Sequence, residues 1–172
     1  MKSCIKIATH NSGTGEPSNK FIDKLLVPFS RCQSKTIKEQ YELGVRLFDL
    51  RVNKRNKLAH GLWESSMCID HVLDYLNSQD DDVYVLLTME GNYDEVLHRK
   101  FCQLKDRYTN IKYVAFCHKK PQWTTISIFN HVDWIKDFSS NTWRKWIPIP
   151  WLWSKLMKHE ESEDVFVMRD FV

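Results

Sequence analysis

Gly44-Val45-Arg46-Leu47-Phe48-Asp49-Leu50-Arg51-Val52 is the stretch on which the fold turns. Val, Leu and Phe crowd the run from Val45 to Val52, which reads as a β-strand. Asp49 and Arg51 lie two apart, so as strand residues they point to the same face. A strand that turns both inward buries two opposite charges, which is tolerable only if they pair. Just upstream, Thr36 to Leu43 reads as a short helix. Thr36 and Glu39 make a capping-box pattern, and Gly44 suits the position past the helix end. Downstream, Met67 to Leu76 is helical, with Val72, Leu73 and Leu76 on one face, and Val83 to Met89 is an apolar run of strand length. Tyr93 to Leu104 is helical again, with Leu97, Phe101 and Leu104 on one face. Ile5 to His10, Ile111 to Cys117, Thr124 to Phe129 and Val165 to Val172 read as further strands. Strands alternating with helices imply βαβ units and a largely parallel sheet. Past about residue 118 the alternation fades, and Trp143 to Trp153 is aromatic, broken by proline and without a clear period.

The 172 residues, 42% hydrophobic and 27% charged, suit one globular domain over residues 1–172. A chain of this length buries a core without metal or disulfide staples. The net charge of +3 is too mild to suggest a nucleic-acid partner. No stretch reaches the roughly 18 apolar residues of a membrane span. The start, Met1 to Ala8, has neither an apolar h-region nor a cleavage site, so no secretory signal is expected. Five cysteines at scattered spacings, with no Cys-x-x-Cys, are expected to be reduced and mostly buried, in a cytosolic-type compartment.

Polar residues sit where a plain core would not place them. His10 ends the first strand, Asp49 and Arg51 lie in the second, Glu90 follows the strand ending at Met89, and Asp170 lies among apolar residues in the last strand. His60-Gly61 closes the segment after the second strand. In a parallel α/β barrel, polar residues at the C-terminal ends of strands converge on one mouth. Two histidines and an arginine have a direct chemical reading. Displacement at phosphorus needs a base for the attacking hydroxyl, an acid for the leaving oxygen, and positive charge for the phosphoryl oxygens. Histidine serves as either acid or base near neutral pH, and arginine offers a fixed fork of donors. The residues also admit a plainer reading, in which Asp49 and Arg51 are a structural ion pair and the histidines have no joint role.

The ordered string narrows this. Ala8-Thr9-His10-Asn11-Ser12, then Thr36 through Val52, then Ala59-His60-Gly61 together resemble the X-domain of phosphatidylinositol-specific phospholipase C. That pattern is a His-Asn or His-Asp ending strand one, a helix, a Gly-(Val/Ile)-Arg-aromatic-Asp-aliphatic-Arg strand, and a downstream His-Gly. Tyr41 departs from the aliphatic residue usual after the glutamine. The resemblance runs over residues 5–91. Met168-Arg169-Asp170-Phe171-Val172 looks like the family's last barrel strand, which often ends in Asp-Phe.

The resemblance implies a compact or distorted TIM-like (β/α) barrel with a shortened second half, since about 250 residues are usual for such a barrel. It implies a phosphodiesterase that cleaves phosphoinositide into diacylglycerol and inositol 1,2-cyclic phosphate. His10 would be the general base on the inositol 2-hydroxyl, oriented by Asp170. Arg51 would bind and polarise the phosphate. His60 would protonate the diacylglycerol oxygen, with Asp49 supporting the acid side and Arg51. The calcium-dependent relatives carry two acids two residues apart on the second strand. Here the pair is Asp49 and Arg51, the metal-independent pattern, so no cofactor is expected. Calcium is the alternative, because Asn11 and Glu90 resemble the calcium form. Otherwise Asn11 and Glu90 line the substrate, and Glu90 can pair with Arg51. The related magnesium-dependent barrel phosphodiesterases, with Glu-x-Asp on the second strand, fit less well.

Trp143, Trp146, Trp151 and Trp153 lie among Arg144, Lys145, Lys155 and Lys158. Tryptophan favours the bilayer interface and lysine favours anionic lipid, so these rings either touch a membrane or cover the barrel where helices are missing. The expected partners are a phosphoinositide lipid and a membrane surface, with no protein partner and no nucleic acid, and the expected location is cytoplasmic or peripheral to a membrane. Three other readings stay open. One is a phosphodiesterase on another phospholipid or a glycerophosphodiester. Another is an inactive membrane- or inositide-binding module. The third is a two-histidine ribonuclease, which lacks a basic, aromatic surface for RNA.

Overall fold

The structure, a computed structural model, describes residues 6–18, 31–89, 95–118, 135–137, 161–170 and 172. Among these the strands are β1 (Ile7–Thr9), β2 (Val45–Val52), β3 (Lys57–His60), β4 (Trp63–Cys68), β5 (Val83–Met89), β6 (Ile111–His118), β7 (Ile135–Asp137) and β8 (Phe166–Arg169). The helices are α1 (Ile37–Glu42), α2 (Ile69–Asn77) and α3 (Glu95–Arg107), and Ser12–Gly15 forms a 3-10 turn after β1.

The parallel strands run β6-β5-β2-β1-β8-β7. The first strand therefore lies between the second and the last of the described strands. Among the described residues β6 and β7 are not paired, and the sheet is open there. The α/β class with a largely parallel sheet is as the sequence implies; closure into a barrel is not part of the described structure.

The two faces of the sheet have different jobs. Val45, Phe48, Leu50 and Val52 of β2 join Val83, Val85 and Leu87 of β5 in one buried cluster. Against them pack Ile69, Val72, Leu73 and Leu76 of α2 and Leu104 of α3. Asp49 and Arg51 alternate with Phe48, Leu50 and Val52 and so face the other way. Their register neighbours on β5 are Leu86 and Thr88. Both faces of β2 are buried, which explains why its sequence is a nearly continuous apolar run.

Local chemistry sets the element ends. Thr36 Oγ1 accepts from Glu39 N–H, and Thr36 N–H donates to Glu39 Oε2 at 2.8 Å, the reciprocal cap expected of these residues. Gly44 follows the helix at φ 94°, a conformation that glycine adopts without a Cβ penalty. Glu16 adds a carboxylate at the same helix start, accepting Ile37 N–H at 2.7 Å.

Two expectations are corrected, the start of the second helix and the burial of the cysteines. Met67 and Cys68 end β4, and α2 starts only at Ile69, because Cys68 pairs with Lys57. The segment after β2 is an antiparallel hairpin, β3–β4, with Gly61 at φ 62° in its two-residue turn. The cysteines are not mostly buried among the described residues: Cys32 is buried, Cys68 half-buried and Cys102 exposed. The strand expected over Thr124 to Phe129 lies outside the described residues. No helix among the described residues is long and apolar enough to cross a membrane.

Leu50→Ala removes a fully buried side chain from the cluster. It is expected to cost about 2–5 kcal/mol in urea unfolding. Thr36→Ala, which loses only the cap, is expected to cost about 1 kcal/mol. Equal costs for the two would contradict this division between core and cap.

Candidate active site

The end of β1 and the turn after it supply two site residues. His10 and Asn11 are both buried, and Asn11 adopts the left-handed conformation, φ 45° and ψ 48°. Asparagine tolerates that region better than most residues. The turn sends Asn11 N–H to Asp49 Oδ2 at 3.0 Å and Asn11 Nδ2 into the cluster of side chains. β1 lies beside β8, so His10 reaches Asp170 across the strand ends: Nδ1 and Asp170 Oδ1 are 2.8 Å apart. β1 lies equally beside β2, so His10 also meets Arg51, whose Nη2 is 3.0 Å from His10 Nε2. Arg51 Nη2 is 3.4 Å from Asp49 Oδ2, so the two buried charges on β2 do pair. His60, at the end of β3, is buried as well, with Nε2 3.3 Å from Asn11 Nδ2.

The structure thus brings His10, Asn11, Asp49, Arg51, His60 and Asp170 together. Asn11 Nδ2 stands between the two imidazoles, 3.1 Å from His10 Nε2 and 3.3 Å from His60 Nε2. Asp49 Oδ2 is 4.0 Å from His10 Nε2, so this carboxylate also stands on the His10 side of the cluster. Glu90, Trp143, Trp146, Trp151 and Trp153 lie outside the described residues.

Two participants were not evident from the sequence. Gln33 Nε2 donates to His10 O at 3.1 Å and Arg169 O at 3.0 Å, and its Oε1 accepts from Val172 N–H at 3.3 Å. One buried side chain therefore ties the end of β1 to the end of β8. Cys32 lies beside it, its Sγ 3.3 Å from Asn11 Nδ2. Thr14 Oγ1 anchors the segment, accepting from both Cys32 N–H and Gln33 N–H at 3.0 Å. The segment crosses the turn after β1 so closely that a Cβ on Gly15 would stand 1.7 Å from Lys35 O, which only glycine avoids. Nothing in the composition of residues 31–35 signals these roles, because they depend on where the loop crosses.

Burial works against a charged His10, but the Asp170 carboxylate and Cys32 outweigh it and raise its pKa from 6.5 to about 10. Arg51 and Asn11 both direct N–H groups at Nε2, which requires its lone pair. A proton on Nε2 and the docking of these donors therefore exclude each other. Asp170 and Cys32 favour the charged ring, while the two docked donors favour the neutral ring that a general base needs.

No family model and no curated protein matches the chain. Solved structures do. One is phosphatidylinositol-specific phospholipase C from Listeria monocytogenes, with a TM-score of 0.51 and 18% identity over 63% of this chain and 41% of that one. Over that stretch the chain shares the fold of a bacterial phosphatidylinositol-specific phospholipase C. A Staphylococcus aureus phosphatidylinositol-specific phospholipase C matches with a TM-score of 0.47 and 20% identity, over 63% of this chain and 40% of that one. The chain spans about two fifths of the length of these phospholipase C structures.

The raised pKa has a definite sign. A group whose pKa is raised on folding stabilises the fold in full below its unfolded value, 6.5, and loses that contribution as pH climbs through about 10. The stability gap between wild type and Asp170→Asn, read by urea unfolding, is therefore expected to narrow from pH 6.5 toward pH 10. In NMR titration, His10 is expected to titrate above 6.5 in wild type and to move down in Asp170→Asn. A gap that widens with pH contradicts the pairing.

Proposed function

We propose that this chain is a phosphodiesterase of the phosphatidylinositol-specific phospholipase C type, with a compact TIM-like barrel as its fold. The observation that carries the reading is the placement of two buried imidazole nitrogens within hydrogen-bonding reach of one point, at 3.1 and 3.3 Å from Asn11 Nδ2. A phosphodiester bound beside Asn11 Nδ2 would have a base on one side and an acid on the other.

In the proposed reaction His10 Nε2 takes the proton of the inositol 2-hydroxyl as that oxygen attacks phosphorus. Asp170 holds Nδ1–H and stabilises the imidazolium that forms. The Arg51 guanidinium leaves Nε2 for the phosphoryl oxygens, where it offsets the charge gathering in the transition state. His60 protonates the departing diacylglycerol oxygen. The products are diacylglycerol and inositol 1,2-cyclic phosphate. Asp49 keeps Arg51 and the Asn11 backbone in place.

The described donors do not suit calcium, which takes six to eight oxygens. Beside Asp49 stands the Arg51 guanidinium, a fixed positive charge where the ion would need another oxygen. Metal independence is accordingly part of the proposal. Contact with a lipid surface is a further part. Leu62, 82% exposed at the tip of the β3–β4 hairpin, follows His60 by two residues in the chain and presents an apolar side chain to the outside. Trp143, Trp146, Trp151 and Trp153 are proposed as further membrane contacts.

The test is hydrolysis of phosphatidylinositol in mixed vesicles with EDTA present. Wild type is expected to release inositol 1,2-cyclic phosphate. His10→Ala and His60→Ala are each expected to lose about 10²–10⁴-fold in rate. Product only after calcium is added would sink metal independence. No product in either condition from vesicles that still bind the protein would favour the binding module. Leu62→Glu is expected to weaken vesicle sedimentation while sparing cleavage of a short-chain, monomeric substrate.

A further inference from the structure

The site contains a thiol that the proposed reaction does not use. Cys32 is fully buried, and a ring nitrogen of His10, Cys32 Sγ and a carboxylate oxygen of Asp170 all lie within 4.8 Å of one another. Imidazole nitrogen, thiolate sulfur and carboxylate oxygen are together a donor set for four-coordinate zinc, with bonds of about 2.0–2.3 Å. Donors around such an ion stand roughly 3–4 Å apart, so small side-chain rotations bring these three into range. A second observation points the same way. Asn11 Oδ1 is buried without a hydrogen-bond partner among the described residues. It belongs to the carboxamide whose Nδ2 touches Cys32 Sγ, so an oxygen donor without a partner borders the same cluster. The local charges also suit a dication. Once His10 has lost its extra proton, Asp49, Asp170 and a deprotonated Cys32 carry three negative charges, and Arg51 carries one positive.

We propose that His10, Cys32 and Asp170 form a site for one thiophilic divalent cation of the zinc class, and that its occupation silences His10 as a base. The inhibitory half rests on the proposed function; the binding half stands without it. As the cation enters, the Cys32 thiol gives its proton to solvent. The ring nitrogen that becomes the ligand gives its proton to solvent as well: on Nδ1 the proton shared with Asp170, on Nε2 the proton of the charged ring. No electron is transferred. Either ring nitrogen gives the same result. A cation on Nε2 occupies the lone pair the reaction needs, and a cation on Nδ1 makes Nε2 a much weaker base.

Cobalt(II) is the probe, added to the full chain after treatment with chelator. One equivalent is expected to give thiolate-to-cobalt charge-transfer absorption and the intense visible bands of four-coordinate cobalt, both abolished by zinc. Cys32→Ser is expected to lose the charge-transfer absorption, and Cys102→Ser, whose thiol is exposed, to keep it. Asp170→Asn is a second variant, expected to bind cobalt at least tenfold more weakly. In vesicle assays, the zinc concentration that halves activity is expected to rise at least tenfold in Cys32→Ser, whatever its basal rate. Wild type without a thiolate band, or Cys32→Ser that keeps one, overturns the proposal. A thiolate band in a chain that hydrolyses no phosphoinositide supports the cation site and overturns the reading of the activity.

Discussion

His10 Nδ1 and Asp170 Oδ1 meet at 2.8 Å from positions 160 residues apart. That contact bridges β1 and β8, which lie side by side and in register, with Ala8 opposite Met168 and Thr9 opposite Arg169. A carboxylate as buried as Asp170 is costly to hold away from water unless a donor meets it. The pairing is therefore both a structural requirement and a cause of the raised His10 pKa. The backbone repeats the connection, since His10 N–H donates to Arg169 O at 3.1 Å. Gln33 repeats it a third time through its carboxamide.

The rest of the cluster is an exercise in sharing. Asp49 Oδ2 serves both the Asn11 backbone and the Arg51 guanidinium, while His10 Nε2 draws both Arg51 and Asn11 Nδ2. Asp49 Oδ1 and Asn11 Oδ1 have no hydrogen-bond partner among the described residues. Buried polar atoms in that condition are unusual in a settled core. They fit a site built to receive something, whether a phosphodiester or a cation. The left-handed Asn11 belongs to the same picture, being backbone strain located where the ligand would sit.

Much of the scaffold was legible because it rests on short-range rules. β2 and β5 have the bounds their apolar runs imply, and α1 carries its capping box. The β3–β4 hairpin was not legible. Its strands, Lys57-Leu58-Ala59-His60 and Trp63-Glu64-Ser65-Ser66-Met67-Cys68, are short and polar, and neither shows a clean alternation. Met67 and Cys68 read as helix from their neighbours, and cross-strand pairing with Lys57 overrode that tendency. The candidate site was legible as a set of residue types at strand ends. Its contacts were not, because His10, Arg51, His60 and Asp170 are distant in sequence and meet only through strand order.

By itself, the sequence determined the residue types of the site, the parallel α/β class and the placement of Asp49 and Arg51 on one face. Period-two spacing fixes that placement, and burial favours their pairing, although Arg51 also meets His10 in the fold. Tertiary structure alone decided which imidazole nitrogen faces which partner. It also set Asn11 between the two histidines, and it delivered Cys32 and Gln33 to the site from a loop with no motif. Those outcomes depend on β1 lying between β2 and β8 and on a loop crossing at Gly15, and long-range packing of that kind has no local code.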